Sequence, residues 1–334
     1  MVENPFNCSV PVRPAGFINR EKIIKEILNI TVKRKTKEDV WLVGARQIGK
    51  TSLLQNIEYL YKNETDLGLI DKKSTIVIIY SNLQKLRSRN DFYDNLTQKL
   101  IEEFDFKLEE ESDSYRMFLT WIKEVYNKNF YIVFLLDEFD AFLQKLCKQS
   151  EIEAVHFLDE LNVDKAGMQE IGNRPKVFSF VFSSNHTSGE LTKNLDLDGS
   201  GLIVNKIIEL SFFTQNQVTN LAHHYLKDTG IHFNDDEIKL CFSVTNGYPL
   251  FVQLFFSDLF DKRSEEANNF SPQFYSNIKK QYQETAKKLA IDWHSRKNMP
   301  ATTFSKIKKL FKGLGITLEI DIPGVKLTFK KDIP

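Results

Sequence analysis

The sequence predicts an α/β fold: a parallel sheet with flanking helices, followed by a small helical domain. Three observations carry that prediction. Apolar strand-like runs recur between helical patterns, none of the runs alternates cleanly between polar and apolar residues, and after Phe213 the pattern turns helical. A run without alternation is buried on both faces, which marks parallel strands covered by helices.

The strand-like runs are Val40–Val43, Thr75–Tyr80, Tyr131–Leu136, Val177–Phe182 and Ile207–Phe213. Helical stretches lie between them. Lys50–Tyr61 places Leu53, Leu54, Ile57 and Leu60 on one face, and Asp91–Phe104 and Tyr115–Tyr126 follow. In such a sheet a ligand sits at the carboxyl ends of the strands. Beyond it, Thr214–Gly230 opens on a threonine cap and closes on glycine, Asp235–Gly247 repeats the format, and Tyr248–Lys262 is a third, very apolar helix. A long polar helix is expected over Ser271–Arg296, and Gly315–Lys331 reads as two short strands around Pro323-Gly324. The expected organisation is an N-terminal entry segment and helix (1–36), a core (37–213), a helical domain (214–268), and a basic helix with short strands (269–334).

The 334 residues, 42% apolar and 12% aromatic, are ample for one large domain and a smaller one. Cys8, Cys147 and Cys241 are scattered and make no zinc pattern, which suggests a reducing compartment. No apolar run reaches membrane-spanning length and the N-terminus does not read as a signal peptide, so a cytoplasmic protein without membrane contact is expected. The net charge is +0, yet Ile278–Pro334 holds 13 Lys/Arg and 5 Asp/Glu, so 13 − 5 = +8 there. A basic segment can meet nucleic acid or an acidic partner, but this one lacks arginine clusters and aromatic interleaving, which favours a solvated lysine-rich face.

The chemistry starts at "WLVGARQIGKTSLLQ", Trp41–Gln55. Gly44 through Thr51 fits G-x-x-x-x-G-K-[ST] between a buried strand and a helix, the setting this phosphate-binding loop requires. Gly44 and Gly49 let backbone N–H groups crowd round an anion, and the helix start adds its unpaired N–H groups and positive dipole end. Gly44, Ala45, Arg46, Gln47, Ile48, Gly49, Lys50, Thr51 and Ser52 are therefore the expected nucleotide-binding residues. Lys50 supplies a point charge for the outer phosphates, and the Thr51 hydroxyl is a hard ligand for Mg²⁺.

A phosphate loop alone only binds, and "YIVFLLDEFDAF" supplies an acidic second element. A buried strand ends in Asp137, placed to hold Mg²⁺, and Glu138, placed to orient and polarise the attacking water. The alternative is that the acids cap the next helix, the role expected of Asp140. "VFSFVFSSNH" ends a further strand in Ser183-Ser184-Asn185. A polar group there lies beside the outer phosphate and the water, with Asn185 the catalytic candidate; an ordinary Ser/Asn turn is the alternative.

At these residues the sequence resembles the AAA+ class of P-loop ATPases, and more narrowly its STAND-type and archaeal-type members. "NPFNCSVPVRPAGFINREK" is similar to that group's N-terminal entry leading to a F-V-G-R-E motif near the adenine, here Phe17-Ile18-Asn19-Arg20-Glu21 with Asn19 in place of the usual glycine. "DEFD" is an acidic signature common in the group, and Gly247-Tyr248-Pro249 resembles the G-x-P motif of its lid domain. The resemblance spans Asn4–Leu259. It implies a five-stranded sheet with the Ser183 strand between the loop strand and the acidic strand, a helical lid, and nucleotide contacts from Arg20 and Pro249. ATP is the implied nucleotide, since no Asn-Lys-x-Asp guanine-reading motif occurs. Many relatives also insert an arginine from a neighbouring subunit, for which Arg174, Arg87 and Arg89 are candidates.

No Cys or His pair has metal-ligand spacing, and "FVQLFFSDLF" reads as a buried helix face and not a base-stacking platform. Three functional readings stay open. The first is a Mg-ATP-dependent ATPase coupling nucleotide state to conformational change or assembly, with a homo-oligomer or a protein as partner. The second is a nucleotide-gated switch or scaffold with little turnover. The third is a DNA-associated ATPase using the basic segment, which is not favoured because roughly 60 residues after the lid leave little room for a further DNA-binding domain.

Overall fold

The computed structural model describes residues 2–6, 10–12, 16–63, 76–104, 113–170, 177–197, 202, 204, 206–265, 273, 276, 277, 280, 316–321 and 326–331; for 163–170, 265, 316–321 and 326–331 this is the backbone alone. The chain divides into two compact units, one of Arg20–Gly44 and Lys50–Leu210, the other of Met1–Asn19, Ala45–Gly49 and the chain from Ser211 onward.

The first unit opens with α1 (Glu21–Leu28), which runs into a π-helical turn at Asn29–Lys33. Then come β1 (Val40–Val43), α2 (Lys50–Lys62), β2 (Ile76–Asn82), α3 (Arg89–Phe104), α4 (Ser114–Asn127), β3 (Tyr131–Asp137), α5 (Phe139–Gln149), α6 (Glu151–Glu170), β4 (Phe178–Ser184), α7 (Ser188–Asn194) and β5 (Lys206–Glu209). The strands form one five-stranded parallel sheet in the order β2-β3-β4-β1-β5, so β4 lies between the loop strand and the acidic strand. Every residue of β1, β3 and β4 is buried. Phe92, Phe142 and Phe157 on the helices meet edge-on or stacked, and Phe134, Phe178 and Phe180 do so on the strands. Each fully buried large apolar side chain contributes about 1.5–3 kcal/mol.

Two differences from the strand expectations have a physical cause. The strands β2, β3 and β4 run beyond their apolar stretches, through Asn82, Asp137 and Ser184, because ladder pairing needs only backbone groups. Register then pairs Asn82 with Asp137 and Val43 with Ser184, which brings polar side chains together at one end of the sheet. The fifth strand, expected to reach Phe213 and be buried on both faces, stops at Glu209 and leaves Ile207 55% exposed. Among the described residues it is an edge strand, with β1 as its one neighbour. Phe213 belongs to the other unit, where its N–H donates to the Gly247 carbonyl at 2.8 Å.

The second unit holds α8 (Gln215–Leu226), α9 (Asp235–Thr245) and α10 (Pro249–Glu265). Thr214 with Gln217 and Asn234 with Glu237 form complete capping boxes, which satisfy the first N–H groups of α8 and α9. α9 closes on Asn246 and Gly247, both at positive φ. Within this unit Asn4 Nδ2 donates to Asp261 Oδ1 at 2.7 Å and to the Ser257 carbonyl at 3.1 Å. Phe6 is buried against Tyr225, Phe233, Phe256 and Phe260. β6 (Ile316–Asp321) and β7 (Lys326–Lys331) pair antiparallel, as the sequence pattern predicts. The polar helix expected over Ser271–Arg296 lies outside the described residues but for isolated positions. Among the described residues no helix is long and apolar enough to cross a membrane.

Candidate functional site

The site is built at the carboxyl ends of β1, β3 and β4. The chain leaves β1 at Gly44, whose N–H donates to the Ser184 carbonyl at 3.3 Å. The start of α2 presents Lys50 and Thr51. The buried Lys50 ammonium donates to the Gly44 carbonyl at 2.9 Å and to Asn185 Oδ1 at 3.0 Å. The Thr51 hydroxyl donates to Asp137 Oδ2 at 2.7 Å. Ser52 is buried beside them in sequence, on the first turn of α2.

Asp137 is 1% exposed, and its carboxylate is held by hydroxyls. Ser183 Oγ donates to Oδ1 at 2.8 Å, while Thr51 and Tyr80, the latter at 3.1 Å, donate to Oδ2. These donors are neutral. A buried anion solvated by hydroxyls alone suits a cation, and a carboxylate beside a threonine hydroxyl is a hard oxygen donor set. The residues present therefore fit a divalent metal of the Mg²⁺ kind. Tyr80 closes a run that reads as a buried strand, so periodicity hides it; only the pairing of that strand with the acidic one brings its hydroxyl to Asp137. Burial, and then the charge of Asp137, push its phenol well above the ordinary value, so it stays protonated and donates.

Glu138 follows at φ 56°, in the left-handed region, which is uncommon for a residue with a long side chain. Asp140 does not cap a helix beginning at Ala141, as expected. α5 starts earlier, at Phe139, because Glu138 supplies the turn. Asp140 lies inside the first turn, buried, and its Oδ2 accepts from the Asn185 backbone N–H at 3.1 Å and from Asn185 Nδ2 at 2.7 Å. That grip turns the Asn185 amide so that its oxygen faces Lys50. Asn185 itself lies just past the end of β4.

The apex of the loop, Ala45–Gly49, groups with the helical unit. Gln47 and Gly49 have φ 58° and 101°. A Cβ at Gly49 would meet nothing within 4 Å, so the glycine answers to backbone conformation and not to crowding. Ile48 N–H donates to the Ala45 carbonyl at 3.3 Å, while the Arg46 and Gln47 side chains are exposed. In the same unit the Tyr248 phenol, 0% exposed and packed against Phe212 and Phe251, donates to the Arg46 carbonyl. Pro249 is buried at the first position of α10. Asn19 takes φ 68°, which asparagine tolerates, and exchanges hydrogen bonds with Gln217 at 2.8 and 3.1 Å. Arg20, in the sheet unit, is buried before α1, and desolvation lowers its guanidinium to about 10.

The arginine candidates separate. Arg89 bonds Glu160 at 2.6 Å and lies over the rings of Tyr93 and Tyr115, so it serves the fold of its own chain. Arg87 has an exposed side chain, and Arg174 lies outside the described residues. Among the described residues no group of three or more His, Cys, Asp or Glu forms a metal cluster.

Residues 33–181, from the π-helical turn through most of β4, match the AAA domain family. That stretch is the part of the chain that resembles an AAA domain. No curated protein matches in sequence. Among solved structures, a Walker-type ATPase of Pyrococcus abyssi is 12% identical at TM-score 0.58, with 98% of this chain and 97% of that one covered. The Aeropyrum pernix ORC2 protein, in ADPNP and ADP complexes, is 11% identical at 0.55, covering 100% and 94%. Cdc6p from Pyrobaculum aerophilum is 16% identical at 0.53, covering 94% and 90%. These likenesses show the fold. They agree with the five-stranded parallel sheet and its flanking helices.

Proposed function

We propose that this protein binds ATP with Mg²⁺ at Gly44–Ser52 and hydrolyses it, and that nucleotide state drives a conformational change or assembly. The observation that carries the proposal is the 2.7 Å bond from Thr51 to Asp137, by which the phosphate-loop helix and the acidic strand meet. Thr51 and Asp137 would hold the metal, which when bound neutralises phosphate charge and orients the outer phosphates. Gly44, Ala45, Arg46, Gln47, Ile48 and Gly49 offer backbone groups to the phosphates, and Lys50 exchanges its protein acceptors for a phosphate oxygen. Glu138 accepts a proton from the water that attacks the outer phosphorus as the bond to ADP breaks. Its left-handed backbone is a strain of the kind retained at working residues. Asn185, held by Asp140, presents its oxygen to Lys50 and to the water. Arg20 lies toward the base, and Pro249 with residues 214–268 serves as the lid, as the family resemblance implies.

Turnover acts on a second copy of the chain or a protein partner in the cytoplasm. DNA is the less favoured partner, although one solved structure of this fold, from Thermotoga maritima, is a RuvB Holliday junction branch migration motor. Salt-sensitive binding of duplex DNA by the purified chain would reverse that preference.

The deciding experiment is phosphate release from Mg-ATP by the wild type, Lys50→Ala and Glu138→Gln, with mass measured with and without ATP. Glu138→Gln should lower turnover by about 10²–10⁴-fold and keep ATP bound. Lys50→Ala should lose both binding and turnover. Wild-type binding and assembly without turnover would make the protein a nucleotide-gated switch.

A further inference from the structure

The carboxylate of Asp137 is gripped from three elements, and the third grip is assigned to no role by the phosphate loop or the acidic motif. Tyr80, on β2, donates to Oδ2 at 3.1 Å; Ser183, on β4, donates to Oδ1 at 2.8 Å; Thr51, on α2, donates to Oδ2 at 2.7 Å. Tyr80 is itself oriented, because Gln55 Nε2 donates to its hydroxyl at 3.4 Å and leaves the phenolic proton for Asp137. Gln55 is four residues after Thr51 on α2, so the two share one face of that helix. Tyr80 thus joins the phosphate-loop helix, its own strand and the acidic strand through one hydroxyl.

Resting on the proposal above that Thr51 and Asp137 hold Mg²⁺, we infer that Tyr80 is a positioning residue for the metal-binding carboxylate. A threonine hydroxyl that ligates a metal does so through an oxygen lone pair and keeps its proton, so Thr51 can hold the metal and Oδ2 at once. Tyr80 is the second hydroxyl on that oxygen, and Ser183 is the hydroxyl on the other. Three donors on the four lone-pair sites fix rotation of the carboxylate and leave one lone pair, on Oδ1, free for the metal. Partners behind a metal ligand that fix its orientation typically matter about 10–100-fold in metal affinity. A purely structural hydroxyl would change stability and leave the metal requirement alone.

The test is Tyr80→Phe, which keeps the ring and removes only the hydroxyl. A fluorescent ATP analogue is titrated in EDTA and across a Mg²⁺ series, and Mn²⁺ binding to the nucleotide-loaded protein is followed by electron paramagnetic resonance. The Mg²⁺ concentration for half-maximal tightening should rise about 10–100-fold, Mn²⁺ should bind correspondingly more weakly, and affinity in EDTA should stay as in the wild type. Ser183→Ala, which removes the donor on the other oxygen, should shift the same half-point. An unchanged Mg²⁺ half-point in Tyr80→Phe, or an equal loss with and without Mg²⁺, overturns the role and makes Tyr80 a packing residue. A wild-type protein whose nucleotide affinity ignores Mg²⁺ overturns the metal assignment itself along with it.

Discussion

The helix caps of the helical unit and the polar site of the sheet unit satisfy their groups over different distances along the chain. In the helical unit Thr214 bonds Gln217, Asn234 bonds Glu237 and Thr245 bonds the Cys241 carbonyl, each within four residues. In the sheet unit Thr51 reaches Asp137 across 86 positions, and Lys50 reaches Asn185 across 135. Short-range pairs close as soon as a helix starts and are legible in a few consecutive residues. Long-range pairs exist only once the strands have found their register, because a one-residue slip would turn each side chain to the other face. The first kind stabilises an element, and the second kind assembles a site.

The largest expected effect tests the exception to that contrast. Gly247 terminates α9 locally, yet a Cβ there would lie 1.9 Å from the Phe213 carbonyl oxygen, and its φ is 72°. Gly247→Ala should destabilise the protein by about 3 kcal/mol or more in urea unfolding, combining a left-handed penalty with a backbone clash. A loss under about 1 kcal/mol would mean that the helix end relaxes locally and that the long-range approach is unimportant.

A smaller effect should follow from Asp140→Ala. It removes both bonds to Asn185 and frees the amide to turn its nitrogen toward Lys50. Turnover should fall by roughly tenfold to a hundredfold, from loss of hydrogen bonds to a charged group, with ATP affinity within a few-fold of the wild type. Equal losses of turnover and ATP affinity would show that Asp140 supports the loop as a whole. The smallest effect is Thr214→Ala. Losing the cap should cost about 1 kcal/mol of stability in denaturant and leave nucleotide affinity unchanged, the behaviour of a purely local pair.

How much of the candidate site was legible follows the same division. Gly44–Thr51 and Asp137-Glu138 are runs of adjacent residues with their own physics, so they stand out before any fold is known. Ser183 to Asn185 was visible as a polar end to an apolar run, but which atom faces Lys50 depends on Asp140, 45 positions back in the chain. Asp140 looked like a cap because capping is what an isolated acid before a helical pattern does. Tyr80 looked like the last apolar residue of a strand, since a phenol is apolar along its length and polar only at its tip.

The sequence by itself determined the alternation of buried strands and helices, the loop that opens on Gly44, the cap at Thr214, and the close of the helical segment at Gly247. Each depends on a few neighbouring residues and on backbone preferences that act within one or two turns. Only the tertiary structure decided that β5 is an edge strand, that Asp140 serves Asn185, and that Ser183 and Tyr80 grip the two oxygens of Asp137. Those outcomes depend on which strands become neighbours and in what register. That choice is made by burying the sheet's faces as a whole, and no short stretch of sequence records it.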